Sequence, residues 1–166
     1  EAGSNSAFYL TETGTLYGSG RNDFDQLGDG SSTDQHAPVE LFTDEVLSVS
    51  SGMSHTLFLK MDGSVWSVGE NSFGQLGDGT LTNKNSPVQV FAGNVVSVWA
   101  GYNHSLFLLN NGELWGAGEN GSGQLGQGTT TSSESIPVLI DTDVLHAAAG
   151  YHTLYVKTDG SLWSVG

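Results

Sequence analysis

The sequence predicts an all-β fold, a β-propeller of four-stranded blades, about three and a half of them in 166 residues. Three observations predict it. The chain repeats itself with a period of 48 to 50 residues from end to end. Each repeat holds four short apolar runs rich in Val, Leu, Phe and Trp, as β-structure prefers. No stretch carries a useful 3.6-residue period, so helices have no signal. Four strands in a repeat of about 50 residues is the signature of a propeller blade.

The repeat is anchored by five kinds of position. Turn pairs fall at Thr13-Gly14, Asp62-Gly63, Asn111-Gly112 and Asp159-Gly160, with an aromatic three residues on at Tyr17, Trp66, Trp115 and Trp163. Gln26, Gln75 and Gln124 each open a Gln-Leu-Gly motif, and Pro38, Pro87 and Pro137 precede a branched apolar residue, Val. Gly3, Gly52, Gly101 and Gly150 open the next apolar stretch. The units run approximately 3–51, 52–100, 101–149 and a partial 150–166, all within one domain.

In the second unit "HTLFL" (55–59) and "VWSV" (65–68) form a hairpin. Asp-Gly between apolar runs signals a type I′ turn. A long Gly-rich loop leads to "VQVF" (88–91), and "AGN" turns the chain into "VVSVW" (95–99). Strands near 152–156 and 162–165 close the chain. The glycines at 52, 101 and 150 permit close approach where blades converge on an axis. Trp66, Trp115 and Trp163 are expected to fill the wider gaps between blades. Three and a half blades leave open edges, which natural sheets avoid. The segment is therefore expected to belong to a longer propeller, or to self-associate through its edges.

Composition narrows the function. The formal net charge is −14, and only Arg21, Lys60, Lys84 and Lys157 are basic. Four cations neutralise too few phosphates for nucleic-acid binding. An anionic membrane surface repels the chain, and no apolar run reaches the length of a membrane span. A steered partner is cationic. There is no cysteine, which excludes disulfides and thiolate metal sites. A Ser/Thr/Asn/Gly-rich, Lys-poor surface points to an extracellular or cell-surface protein, with cytoplasm as the alternative. The first ten residues lack the basic region of a signal peptide.

Several motifs need a functional and a structural reading side by side. His55, His104 and His152 recur at one repeat position; converging imidazoles can bind zinc, but repetition by itself explains repeated residues, and the three are read as structural. "GSGQLG" (121–126) matches a dinucleotide-binding pattern, yet no helix signal follows it and the sister loops break the pattern. Asp23, Asp25, Asp29 and Asp34 offer oxygen ligands, but without calcium-loop spacing, so they read as a solvated acidic loop. Two glycosylation sequons, at Asn103 and Asn120, fall on repeat positions and read as structural. No Ser-His-Asp or paired-carboxylate arrangement stands apart from the repeat, so the chain reads as a non-enzyme with no cofactor and no metal.

Between the Gln-Leu-Gly and Pro-Val anchors the copies diverge: "DGSSTDQHA", "DGTLTNKNS" and "QGTTTSSESI". Variable loops on a rigid scaffold commonly carry recognition. Phe24, Asp25, Phe73, Leu81 and Lys84 are the candidate contacts for a protein partner.

The residues "WSVGENSFGQLGDGT" (66–80), "PV" (87–88) and "AGYNHSLFL" (100–108) resemble the regulator of chromosome condensation (RCC1) repeat family, and the likeness covers essentially the whole chain. The resemblance implies a seven-bladed propeller of which about half is present. Its members divide by function: a nuclear guanine-nucleotide exchange factor that docks on nucleosomes, plant photoreceptors, ubiquitin-ligase modules and secreted bacterial inhibitors of β-lactamase. The acidic charge argues against nucleosomal DNA, and four Trp are too few for the photoreceptor arrangement. The expectation is a protein-interaction scaffold within a larger extracellular or surface protein. Self-assembly through blade edges and nucleotide exchange on a small GTPase are the alternatives. The first copy departs most, with Tyr17, Ser6, Arg21 and Asp25 where later copies carry Trp, His, Glu and Gly. The fourth copy is one residue short before His152.

Overall fold

The computed structural model describes residues 6–43, 45–128 and 131–166. Gly3 lies outside them. Fourteen strands and no helix occur among the described residues. They form four antiparallel sheets in chain order. The first holds β1 (Ser6–Leu10), β2 (Leu16–Gly20) and β3 (Gln35–Phe42). The second holds β4 (Val46–Ser51), β5 (His55–Lys60), β6 (Val65–Gly69) and β7 (Lys84–Phe91). The third holds β8 (Val95–Ala100), β9 (His104–Leu109), β10 (Leu114–Glu119) and β11 (Ser133–Asp141). The fourth holds β12 (Val144–Ala149), β13 (Thr153–Lys157) and β14 (Leu162–Val165). These are the blades of a partial propeller.

Sequence repeat and blade are out of phase. The strand at 95–99 that ends the second repeat pairs with β9 and so opens the next sheet. β4, β8 and β12 are the strands through which neighbouring blades meet, which places them innermost. Space is shortest there. A Cβ on Gly52 would come within van der Waals overlap of the Gly101 carbonyl, and one on Gly101 would sit 2.8 Å from the Gly150 carbonyl. Close approach at the axis requires glycine at both positions.

The core lies between blades rather than within them. Along β5, Phe58 faces the first blade with Phe8, Leu16 and Leu27, while Leu57 and Leu59 face the third with Val98 and Phe107. The same alternation places Phe107 on one side of β9 and Leu106 and Leu108 on the other, against Val144 and Tyr155. A strand buried on both faces reads as a continuous apolar run, which is why "HTLFL" and "HSLFL" lack period-two patterning. Trp66 and Trp115 pack half-buried against the interface with the preceding blade. Trp163 stacks on Tyr155 but is 49% exposed, so it fills its gap incompletely. The outward faces of the end blades carry Tyr9, 66% exposed, and Leu154, 39% exposed, although the residues equivalent to them in the middle blades are buried.

The hairpin turns differ from the type I′ expectation. Lys60 N donates to Ser64 O at 2.9 Å and Gly63 N to Lys60 O at 3.0 Å, a three-residue loop. Gly63 has φ of 80° while Asp62 does not appear among the positive-φ residues. Only one residue of the pair needs the left-handed region, which is the type I turn with a glycine bulge. Thr13, Asn111 and Asp159 precede Gly14, Gly112 and Gly160 in the same geometry. The outer strands are longer than predicted because register shifts around Pro87 let pairing resume at Lys84.

Candidate functional site: the long-loop face

The three long loops share one skeleton built on an asparagine that recurs in each. Asn22, Asn71 and Asn120 are fully buried. Each side-chain oxygen accepts the amide of the Leu in Gln-Leu-Gly, at 2.9, 3.0 and 3.0 Å. Asn22 Nδ2 donates to Asp29 Oδ1 and Asn71 Nδ2 to Asp78 Oδ1, both at 3.0 Å. Gln26, Gln75 and Gln124 accept the amide two residues before them at 3.0 Å. The signal was in the sequence: an asparagine stands four residues before the glutamine in all three copies.

The same loops latch one blade to the next. Gly30 N donates to Asn85 O at 2.9 Å and Asn85 Nδ2 to Gly30 O at 3.2 Å. Gly79 N donates to Ser135 O at 2.9 Å. Beneath each latch a glycine meets a proline across the interface, Gly28 with Pro87 and Gly77 with Pro137. The Gln-Leu-Gly and Pro-Val anchors are thus two halves of one contact. Between these anchors the exposed tips lie at about 32–34 and 81–83.

The candidate contact residues separate on this face. Asp25 and Lys84 line one cleft of about 440 Å3 between the first long loop and the start of β7, with Asn83, Asn85, Ser86, Pro87 and Val88. Asp25 is held at φ of 66°, where the later copies have glycine, and accepts a hydrogen bond from Ser32 Oγ. Phe24 is half-buried beneath the Arg21 guanidinium at 5.2 Å, and Leu81 is exposed at a loop tip. Phe24, Phe73 and Leu81 do not line the cleft. The acidic loop is more structured than expected. Asp34 caps Asn22 N at 2.8 Å, Asp23 pairs with Arg21 at 2.6 Å, and Asp29 accepts from Asn22, Ser31 and Gln35. Asp29 and Asp78 are held below the usual carboxylate range by these hydrogen bonds, against the upward pull of burial. Among the described residues no group of three His, Cys, Asp or Glu could hold a metal ion.

All four basic residues are engaged in ion pairs. Arg21 meets Asp23, Lys60 meets Glu45 at 3.5 Å, Lys84 meets Asp78 at 3.3 Å and Lys157 meets Asp141 at 2.7 Å. Any uncompensated charge the face presents is negative.

The repeated histidines serve the axis. His55 Nε2 lies 2.9 Å from Ser105 Oγ and His104 Nε2 lies 3.0 Å from Thr153 Oγ1, each in the next blade. The partner is a hydroxyl in both cases. His152 is exposed. The first copy has Ser6, which bonds its own blade at Arg21 O, so the first interface lacks this tie. The dinucleotide pattern at 121–126 runs into β11 instead of a helix. Asn120 is fully buried and bonded to Thr131, and Asn103 donates to Glu119 Oε2, so both sequons serve structure.

Stacked blades tied at the axis by histidine and at the rim by glycine loops define a repeat-built β-propeller segment. The regulator of chromosome condensation (RCC1) repeat model matches residues 13–59, 62–108 and 111–156, and a second model of the same repeat matches 46–75 and 95–124. The chain belongs to this family. Among solved structures, human WBSCR16 is 24% identical with a TM-score of 0.84, over 99% of this chain and 46% of that one. Prp20p from Saccharomyces cerevisiae, described with its binding to Gsp1p and histones, is 22% identical with a TM-score of 0.79, over 99% and 42%. The ectodomain of the Physcomitrella patens receptor kinase CR4 is 17% identical with a TM-score of 0.62, over 99% and 40%. The chain spans less than half the length of each. Comparison with curated protein sequences gives no match.

Proposed function

We propose that this chain is a non-enzymatic protein-interaction segment, whose long-loop tips contact a protein partner within a larger extracellular or surface protein. One observation carries the reading. The loop backbones are fixed by the same buried Asn and Gln contacts in each copy, while the exposed tips at 32–34 and 81–83 differ in sequence. A rigid mount with variable tips is the arrangement of a recognition surface. The binding of Gsp1p and histones by Prp20p supports a protein partner, and the receptor-kinase ectodomain shows the fold in an extracellular setting.

The test is a chimera in which segments 32–34 and 81–83 are exchanged. Asp34 caps Asn22 N and Asn83 caps the equivalent Asn71 N, so the skeleton is retained. A partner identified by cross-linking to the wild-type chain is expected to bind the chimera at least tenfold more weakly. Equal binding would remove recognition from the tips, and substrate turnover by the purified chain would overturn the non-enzymatic reading.

A second reading, self-assembly, is favoured by the exposed Leu154 and Leu162 on the outward face of the last blade. Light scattering over a concentration series decides it. Nucleotide exchange on a small GTPase is the third, and release of labelled GDP from a candidate GTPase tests it.

A further inference from the structure

Met53, Tyr102 and Tyr151 occupy one position in three successive repeats, each directly after an axial glycine. They sit where the inner strands end on the long-loop face. The rings of Tyr102 and Tyr151 stack with centroids 4.4 Å apart and planes at 23°. Tyr102 N donates to Gly150 O at 2.8 Å, which fixes the pair across the blade interface. Neither ring belongs to the interblade core clusters, and Tyr151 is 69% exposed. Core packing therefore does not account for this platform.

Two carboxylates flank it. Glu119 N donates to Asn103 O at 2.8 Å, beside Tyr102, and Glu70 N donates to Ser54 O at 2.9 Å, beside Met53. Burial, the Tyr151 phenol, and then Glu70 and Glu119 raise the Tyr102 phenol above its ordinary range. Glu70 Oε1 accepts from Ser72 and Glu119 Oε2 from Asn103. Among the described residues, Glu70 Oε2 and Glu119 Oε1 have no hydrogen-bond donor, and neither side chain has a cationic partner. The first copy carries Arg21 at the position of these glutamates, and that side chain is turned to Asp23.

Phenol faces attract cations through the ring quadrupole. A guanidinium adds a plane that stacks on the ring and a fork that matches a carboxylate, which an ammonium lacks. A chain of net charge −14 steers such a group towards it. We propose that Tyr102 and Tyr151, with Glu70 and Glu119, form a docking site for an arginine side chain presented by a basic segment of a protein partner. The inference rests on the protein-interaction reading and names the chemistry of one contact.

The test is titration of the 166-residue chain, by NMR at low salt, with the acetylated and amidated peptide Gly-Ser-Arg-Gly-Ser-Arg-Gly-Ser. Saturable binding is expected, with shifts confined to the Tyr102 and Tyr151 rings and their neighbours. The lysine peptide should bind at least threefold more weakly and the citrulline peptide not at all. Tyr151→Ala and Glu119→Gln should each weaken the arginine peptide at least threefold with unchanged folded spectra. Equal binding of the citrulline peptide, wild-type affinity in both variants, or no saturation up to roughly 10 mM would overturn the site. If the peptide fails while the loop-tip chimera still loses its partner, the arginine site falls and the interaction reading stands.

Discussion

His55 Nε2 and Ser105 Oγ are 2.9 Å apart, although 50 residues separate them in the chain. Ser105 Oγ also donates to Gln75 O at 2.6 Å, so its proton is committed and it accepts from the imidazole. Burial disfavours the imidazolium and Nδ1 has no acceptor, so His55 is neutral with its proton on Nε2. Its Nδ1 is buried without a partner and packs against Gly52. The second blade thus holds the third by both its strand and its loop. Ser105→Ala removes a donor from Gln75 O and an acceptor from His55. It is expected to cost about 1–3 kcal/mol, read by urea unfolding with an unchanged m value.

Stability should fall in mild acid. Burial, and then the nearby His104, lowers the His55 pKa to about 3; burial, and then His152, lowers that of His104 to about 4. An unfolded histidine titrates near pH 6.5. Between these values the unfolded chain binds protons that the folded chain does not, so stability is fully present above about pH 6.5. It declines by at most about 1.4 kcal/mol per pH unit for each histidine as pH falls through that window. The paired aspartates Asp29, Asp78 and Asp141, with lowered pKa values, add their losses only below about pH 4. Unfolding midpoints from pH 8 to 4 check this. A flat profile, or an undiminished slope in His55→Gln/His104→Gln, would refute it.

Two glycine substitutions should behave oppositely. Gly52→Ala places a methyl against the Gly101 carbonyl and 2.7 Å from His55 Cε1. Backbone on one side and a locked ring on the other leave little room to yield, and a loss of about 2–3 kcal/mol is expected. Gly121→Ala meets nothing within 4 Å and its φ is not positive, so its melting temperature should match wild type or exceed it slightly.

Asp25→Gly is expected to stabilise the chain by about 1 kcal/mol despite the loss of the Ser32 contact. Asp25 holds φ of 66°, a conformation that costs a side-chain-bearing residue and not glycine. The equivalent Gly74 also lies against Ser135, where a Cβ would come within 2.5 Å of its Cα, so Gly74→Asp should be strongly destabilising. Thermal melts of the two variants check the contrast.

Strand positions were legible because β5 and β9 bury both faces and so read as unbroken apolar runs. The phase of the blades was not, because local patterns show which segments are strands but not that 95–99 pairs forwards. The turn type was misread at Asp62-Gly63 because both hairpin classes use Asp-Gly, and only φ at Asp62 separates them. β-Bulges were likewise invisible. Register shifts at the inner strands turn Leu47, Val96 and Leu145 outward, although they sit in apolar runs. The loops were read as free recognition elements because glycine signals a turn equally well whether the loop is loose or latched. That Gly30 and Gly79 bond a neighbouring blade is a long-range fact. Asp25 and Lys84 share a cleft for the same reason, through packing of the first long loop on the following sheet.

The phase offset between repeat and blade bears on how such a protein can grow. Each roughly 49-residue unit carries three strands of one sheet and the inner strand of the next. Duplicating a unit in the gene adds one complete blade and orphans no strand, because the donated inner strand finds its three partners in the copy that follows. The axial tie and rim latch are inherited along with it, since each is made between consecutive units. Lengthening by tandem duplication of one period therefore needs no compensating mutation at the junction.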